Sequence, residues 1–420
     1  MKTYSYLVFS RLNFLLSFNF LPRFRFCMRL LCVLFFTKSV SASTLNFELG
    51  AEYQYFPHAN EQLQKHDYSS DATTYLRVKY DESYREGSVK FSLDGTATYD
   101  QRDEHRTRND FNALALGYFT NSVDITVGIK TEFWGVTESR HLVDIINQTV
   151  VADNIDEESK LGQPMIKAQL HQSWGNIQLY LLPVFRERIF TDDVARLQPG
   201  LAIDDELSRY ESSNKKQHRD FALRYTNTLD IWDLGLAYFR GTGRDPLLLP
   251  QFTTQNTLVL APYYEQIEQS SIDLQMTSDS LLLKLEAINH SSKLQKNYVA
   301  AVGGFEYTQV GIFDTAMDLG YMVEYLYDER DDRANTPFAD DYFAGFRLIA
   351  NDIAQSTYLL GTYVDRDNHS KAVRFEMETR LRDGLTFSIE GQAFTDQAPD
   401  DLLYSFRNDD YLTIGLHIFF

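Results

Sequence analysis

The chain has 420 residues, with 59 acidic against 40 basic side chains and a net charge of −19. That balance excludes nucleic-acid binding through the phosphates. A mean hydropathy of −0.34, with no apolar run near ~20 residues after residue 42, argues against a helical membrane span.

At the N-terminus, Met28-Arg29 precedes the apolar run Leu30–Phe36, and Val40-Ser41-Ala42 offers small residues before Ser43. A positive charge, a short apolar core and a small-residue cleavage site predict a secretory signal peptide over 1–42, with Met28 as the expected initiator. Both cysteines, Cys27 and Cys32, fall in this leader, so the mature chain is expected to have no disulfide and no thiolate metal site. The leader holds Lys2, Arg11, Arg23, Arg25, Arg29 and Lys38 and no acid, so its removal takes the balance from 40 − 59 to 34 − 59, or −25. Such acidity suits loops that face solvent or cations bound to lipopolysaccharide.

Residues 43–420 read as one domain, since no Pro- or Gly-rich linker divides them. Leu45, Phe47, Leu49, Ala51, Tyr53 and Tyr55 alternate with Asn46, Glu48, Gly50, Glu52 and Gln54. A period of two means a strand with one apolar face. The same alternation recurs at 89–99, 123–133 and 373–382. Eighteen strands are predicted, at 45–56, 71–81, 87–100, 108–119, 123–134, 164–173, 177–187, 219–229, 231–241, 263–277, 280–290, 296–308, 313–328, 340–350, 354–364, 371–382, 385–395 and 404–420. Pro183 cannot donate to a ladder, so the seventh must bulge or end there.

Many of these segments reach the roughly ten residues that a tilted membrane strand needs, where soluble strands have a mode of about 5–6. The chain has 26 tyrosines and 30 phenylalanines. Tyr53, Tyr99, Phe119, Tyr225, Tyr238, Tyr325 and Tyr327 sit near strand ends, as in an aromatic girdle. Long connections at 57–70, 135–163, 188–218, 242–262 and 329–339 alternate with tight ones at 120–122, 174–176, 230, 278–279 and 383–384. The expected fold class is therefore all-β: a transmembrane antiparallel up-and-down β-barrel of about 18 strands (16–18), with short periplasmic turns and long extracellular loops.

A charge facing the lipid midplane costs ~2–4 kcal/mol for Arg or Lys, so alternation assigns charges on the polar faces to the lumen. The lumen-lining candidates are Asp94, Lys130, Glu132, Arg186, Arg224, Lys284, Glu286, Asp318, Glu324, Arg347, Arg374, Glu376, Glu378, Arg380 and Arg382. They read either as an electrostatic screen along a pore or as a mutually salt-bridged wall without selectivity. The five charges from Arg374 to Arg382 form the longest row. Loop 135–163 carries Leu142-Val143-Asp144-Ile145-Ile146-Asn147, unusually apolar for solvent. It reads either as a plug or constriction inside the lumen or as a short helix capping the outer rim.

The acidic pairs at 192–193, 204–205, 331–332, 340–341 and 400–401 match no 12-residue calcium loop. No G-x-S-x-G, H-E-x-x-H or P-loop occurs. Neither enzymatic activity, a metal nor a cofactor is expected.

The ending Thr413-Ile414-Gly415-Leu416-His417-Ile418-Phe419-Phe420 resembles the closing strand of bacterial outer-membrane barrels. The resemblance implies that Thr413, Gly415, Ile418 and Phe420 act as an assembly signal read by the barrel assembly machinery. It also implies residence in the outer membrane of a Gram-negative bacterium, in contact with its lipid and lipopolysaccharide. Phe133-Trp134-Gly135 followed by Asp144-Ile145-Ile146-Asn147 resembles porin-like proteobacterial barrels. Leu182–Arg188, Arg209-Tyr210-Glu211 and Leu248-Leu249-Pro250 are similar to a family of uncharacterised outer-membrane proteins, which implies no established substrate. The leading functional reading is a porin-like channel for small hydrophilic solutes. The alternatives are a plugged export or lipid-handling barrel serving an inner-membrane pump, and a non-transport surface or structural barrel. A homo-oligomer is left open.

Overall fold

Strands with one apolar and one polar face satisfy both lipid and backbone only when the sheet closes on itself, because an open edge in hydrocarbon leaves its N–H and C=O groups unpaired. The computed structural model describes residues 42–59, 68–154 and 157–420. The expected leader residues 1–41, with Cys27, Met28 and Cys32, lie outside them, as do residues 60–67 of the first long connection.

The first strands are β1 (Ala42–Tyr55), β2 (Ser70–Tyr84), β3 (Val89–Asp100), β4 (Arg108–Phe119), β5 (Val123–Lys130), β6 (Gln163–Gln172) and β7 (Gly175–Leu182). There follow β8 (Arg209–Tyr210), β9 (Asp220–Leu229), β10 (Trp232–Thr242), β11 (Leu247–Phe252), β12 (Leu258–Tyr264), β13 (Gln266–Ser278) and β14 (Leu281–Ser292). The last are β15 (Tyr298–Gln309), β16 (Asp318–Asp328), β17 (Asp340–Ile349), β18 (Thr357–Asp365), β19 (Lys371–Arg382), β20 (Leu385–Thr395) and β21 (Tyr411–Phe419). Eighteen of them form one antiparallel sheet of chain neighbours, with β7 pairing β9 and β10 pairing β13. It closes where β21 pairs β1, from Glu48 opposite Phe419 to Tyr55 opposite Leu412. Phe47 and Phe420 exchange both backbone hydrogen bonds, at 3.2 and 2.9 Å, and complete the seam. The other three, β8, β11 and β12, make a small separate sheet.

The outward face is a belt of exposed apolar side chains, including Leu45, Phe47, Leu49 and Tyr53 on β1 and Leu412, Ile414, Leu416 and Ile418 on β21. Exposed apolar surface on this scale belongs in hydrocarbon. The long connections collect at one end of the barrel. The short ones, such as 120–122, 173–174, 230–231, 279–280 and 383–384, collect at the other, with β1's start and β21's end.

Several segment boundaries differ from expectation, and the fifth strand, expected to reach 134, ends at Lys130. The segment at 263–277 divides into the end of β12 and β13, because 247–264 forms a hairpin rather than an irregular loop. The strands expected from 313 and 404 begin at Asp318 and Tyr411, with 3-10 turns at 312–314 and 402–406 before them. The seventh strand stops at Leu182, immediately before Pro183.

The inside of the barrel is not simply polar. Trp134, Val143, Ile145, Ile146, Met165, Tyr180, Leu182, Ala222, Phe239, Ile267, Ile288 and Ala300 form one buried cluster, and Val302, Met322, Leu326, Phe343, Tyr363, Ala372, Phe394 and Leu403 form another. On β16, Met322 and Leu326 are buried inward while Val323 and Tyr327 face out. A strand apolar on both faces has protein on one side and lipid on the other.

Candidate functional site

The inner apolar surface is covered by the connection 131–162, which turns into the lumen directly after β5. Gly135 makes the turn possible. Its φ is +147°, and a Cβ there would lie 2.9 Å from both Glu286 Oε1 and His141 Nδ1. Asn147 braces the loop's neck: its Oδ1 accepts from Glu132 N at 2.9 Å, and its Nδ2 donates to Lys130 O at 3.1 Å and Leu161 O at 2.7 Å. Leu142, Val143, Ile145 and Ile146 pack into the first cluster. The loop is thus the lumen insert, and among its described residues there is no helix.

Two strand carboxylates seat the insert. Glu286 on β14 is fully buried. Its Oε1 accepts from Val136 N (2.7 Å), Thr137 N (3.1 Å) and Thr137 Oγ1 (2.7 Å), and its Oε2 accepts from Val143 N (3.1 Å). Glu324 on β16 accepts from Glu138 N and Ser139 N, each at 2.8 Å, and from Ser139 Oγ at 2.5 Å. A buried carboxylate is tolerated only when its lone pairs are filled, and these backbone donors fill them. His141 stands 3.8 Å from Glu286. Burial opposes charge on its ring, but the carboxylates of Glu286, Asp144 and Glu158 prevail and hold its pKa above the usual histidine value.

The insert crosses to the opposite wall. Glu138 meets Arg347 of β17 at 2.6 Å, Glu158 meets Arg374 of β19 at 3.3 Å, and Asn154 donates to Glu390 of β20 at 2.7 Å. Tyr363 of β18 donates to Ser139 O at 2.9 Å, and Asp153 pairs with Arg108 of β4. From the near side, Arg244 donates to Ile146 O at 3.2 and 3.3 Å and binds Asp220 at 2.8 Å.

The charged candidates sort by what they reach. Lys130 lies 4.0 Å from Glu132, which also takes Lys167 at 2.7 Å. Arg224 pairs with Asp273 at 2.8 Å beneath Trp134, and Lys284 with Glu306 at 3.1 Å. Asp94 takes Arg77 through both oxygens, at 2.7 and 2.6 Å. Glu286, Glu324, Arg347 and Arg374 hold the insert as described. Glu376 pairs with Arg374, and Glu378 lines the inner cavity beside it.

Four candidates lie away from the mid-lumen wall. Arg186 lies beyond the strand that Pro183 ends, and it braces the insert's exit by binding Asp110 at 3.0 Å and Gly162 O at 2.7 Å. Asp318 starts β16 at the short-turn rim, where it accepts from Gly311 N at 3.0 Å and Asn351 Nδ2 at 2.8 Å. Arg380 reaches Gln355 and Asp383 at the same rim. Arg382 follows a bulge: Arg380 opposes Thr386 but Arg382 opposes Leu385, which in turn opposes Ile418. Directly opposed residues share a face, so the one-residue slip puts Arg382 on the outward side at the rim. Mid-lumen the row of five keeps Arg374, Glu376 and Glu378, and Arg380 holds the same face at the rim.

The insert leaves space on both sides of itself. Toward the long-loop end lie two joined chambers of about 120 and 100 Å³, sharing Ser139, Arg140, Glu157, Asp245 and Asn335. Toward the β1–β4 and β17–β21 wall lie two cavities of about 350 and 470 Å³, sharing Glu52 and Glu390. Glu138 and Glu158 border both an outer chamber and the larger inner cavity. The partition there is the thickness of the Glu138–Arg347 and Glu158–Arg374 pairs. Among the residues lining the two inner cavities, acids outnumber bases nine to six.

Connection 183–219 reaches over the mouth. Arg196 is fully buried, binding Asp409 at 3.0 Å, Tyr68 O and Asn408 O at 2.8 Å each, and lying 4.5 Å from the centre of the Phe56 ring. It ties this connection to 56–69 and 396–410. The connection also touches 101–107, where Asp192 N donates to Asp103 at 3.3 Å. Sequence reading missed Arg196, Asp409 and Arg244, which lie in connections where no alternation announces a long-range contact, and did not single out Glu390 on the polar face of β20. Among the described residues, no group of three or more His, Cys, Asp or Glu side chains is placed to hold a metal ion.

No known protein-family profile and no curated protein matches the sequence. Among solved structures, the fold is similar to Wzi, an outer-membrane protein involved in group 1 capsule assembly in Escherichia coli and described as a carbohydrate-binding β-barrel. The TM-score is 0.53 at 10% identity, over 89% of this chain and 84% of that one. A point mutant of the Rh. blastica porin matches with a TM-score of 0.43 at 14% identity, over 90% of this chain and 100% of that one. The shared feature is the fold. With its closed antiparallel sheet and lipid-facing belt, the chain is a transmembrane β-barrel of the outer-membrane type.

Proposed function

We propose that the protein is a constricted channel for small hydrophilic solutes, with the 131–162 insert as its constriction. The observation that carries this reading is the thin ionic partition between the outer chambers and the larger inner cavity. The Glu286 and Glu324 seats are buried and fully bonded. In contrast, the Arg347–Glu138 side chains keep 31% and 23% of their exposure and the Arg374–Glu158 side chains 16% and 53%. Both arginines have a second carboxylate, Glu306 and Glu376, to fall back on when the pairs part. Part-exposed pairs are worth about 1 kcal/mol each, so the partition is weaker than the buried seats of the loop. Solute passes where these pairs part, along the β17–β21 wall rather than through the apolar half of the barrel.

Planar-bilayer recording of the purified barrel tests this. Small, flickering conductance is expected in the wild type, and larger, steadier conductance in the double variant Arg347→Gln, Arg374→Gln. Silence in both proteins, with the barrel folded, rejects the channel.

A second reading is a barrel that binds saccharide without conducting. It is favoured by the covered mouth, where Arg196 locks 183–219 across the lumen, and by the likeness to a carbohydrate-binding barrel. Binding to surface polysaccharide without conductance separates it from the first.

A further inference from the structure

Bases and acids lining the larger outer chamber are matched almost one to one. Arg188 binds Glu157 at 3.1 Å and Asp245 at 3.0 Å. Arg244 has Asp220 at 2.8 Å, Arg330 has Asp328 at 2.7 Å, and Lys160 has Asp144 at 3.6 Å. Glu138 and Glu158 are taken by Arg347 and Arg374. One base is left over. Arg140 lines both joined chambers, and the described residues offer its guanidinium no hydrogen bond and no ion pair within 4.0 Å. Glu157 is in electrostatic reach but is held by Arg188.

A second group in the chamber is also unfilled. His290 is 7% exposed, and its Nε2 has no hydrogen-bond partner among the described residues. The ring is fixed by stacking on Tyr298 at 4.7 Å, and Arg330 lies over the Tyr298 ring at 3.8 Å. A buried polar atom without a partner calls for an occupant. The rest of the lining mixes amide, hydroxyl and carboxylate groups, including Ser139, Asn335, Gln295 and Asp245. Such a lining suits hydroxyl groups, which both donate and accept.

We propose that the outer chamber is a binding site for a small polyhydroxylated carboxylate, a monomeric sugar acid. Arg140 takes the carboxylate through its planar fork, and the amide and hydroxyl lining with His290 Nε2 takes ring hydroxyls. The volume admits one ring rather than a chain. The proposal stands on the chamber and does not require conduction.

The test is calorimetric titration of the detergent-solubilised full barrel with galacturonate, galactose and acetate. Galacturonate is expected to bind at least about tenfold more tightly than galactose, which lacks the charge, and than acetate, which lacks the ring, since a charge-assisted hydrogen bond is worth about that much. Arg140→Gln should lose about tenfold for galacturonate only, and Arg140→Lys should recover part of it. Arg140 touches nothing whose loss would unfold the barrel, and heat-modifiable gel mobility checks this. Equal affinity for galactose and galacturonate, an unchanged Arg140→Gln, or no galacturonate binding each overturns the proposal, whatever the conductance. Trigalacturonate binding as tightly as the monomer would overturn the single-ring assignment. Sugar-acid binding by a barrel that never conducts would leave this proposal standing and remove the channel.

Discussion

Replacing Glu286 with alanine removes the main seat of the lumen insert. Four donors lose their acceptor: Val136 N, Thr137 N, Thr137 Oγ1 and Val143 N. A buried donor left without a partner costs about 1–3 kcal/mol. The vacated space adjoins polar chambers that water can enter, so the lower value applies, and four donors amount to about 4 kcal/mol. At about 1.4 kcal/mol per tenfold, the released loop becomes about 10³-fold more populated. The barrel itself should stay folded, because β14 pairs with β13 and β15 through its backbone. Glu286→Gln is the graded control. It keeps one oxygen for Val136 and Thr137 but turns an NH₂ toward Val143 N, so a loss of only about 1–3 kcal/mol is expected. The assay is limited trypsin digestion of the folded barrel with mass spectrometry, reading cleavage after Arg140 and Lys160. Rapid cleavage in Glu286→Ala, slower cleavage in Glu286→Gln and resistance in the wild type are expected, together with raised conductance in the alanine variant. Wild-type resistance and conductance in Glu286→Ala would refute the seat.

The insert should also loosen as pH rises. The pKa of His141 is held above its usual ~6.5, so its contribution is complete below that value and is lost as pH climbs through the raised folded value. Trypsin sensitivity, normalised to a loose control substrate, should therefore increase as pH rises above the usual ~6.5 in the wild type and be flat with pH in His141→Asn. Arg196→Ala removes the buried guanidinium that Asp409, Tyr68 O and Asn408 O accept from, which loosens the connection. Faster cleavage in 183–219 with an unchanged barrel is the expected outcome, and the double variant Arg196→Leu, Asp409→Leu should recover most of the resistance. Arg374→Glu should shift the reversal potential in a salt gradient toward cations, whereas Arg382→Glu, on the outward rim, should leave it unchanged. At the seam, a side chain at Gly415 would meet Ser388 Oγ at 2.3 Å. Gly415→Val and deletion of Phe420, which pairs with Phe47, should each reduce the heat-modifiable folded fraction in membranes.

Strand number, lipid face, antiparallel order and the closing strand were legible in the sequence because they follow from a period of two, a property of neighbouring residues. Leu412 to Phe420 on the last strand and Leu45 to Tyr55 on the first both declare an outward face before either has a partner. Pro183 declares a bulge or an end in the same local way, and the structure takes the end. The filling of the lumen was not legible. Val136 and Glu286 are 150 residues apart, and Ser139 and Glu324 are 185 apart. Alternation assigns Glu286 and Glu324 to the interior but says nothing of what they hold there. The local trace of the insert was the apolar run Leu142–Ile146, which fits a rim helix as well as a plug, together with the double-faced apolar pattern of β16. The slip at Arg382 was hidden for a related reason, since a bulge is decided by how two strands and their turn fit together. Periodicity determines which side of a strand meets lipid. Only the closed barrel, by bringing distant carboxylates around one loop, decides what the other side encloses.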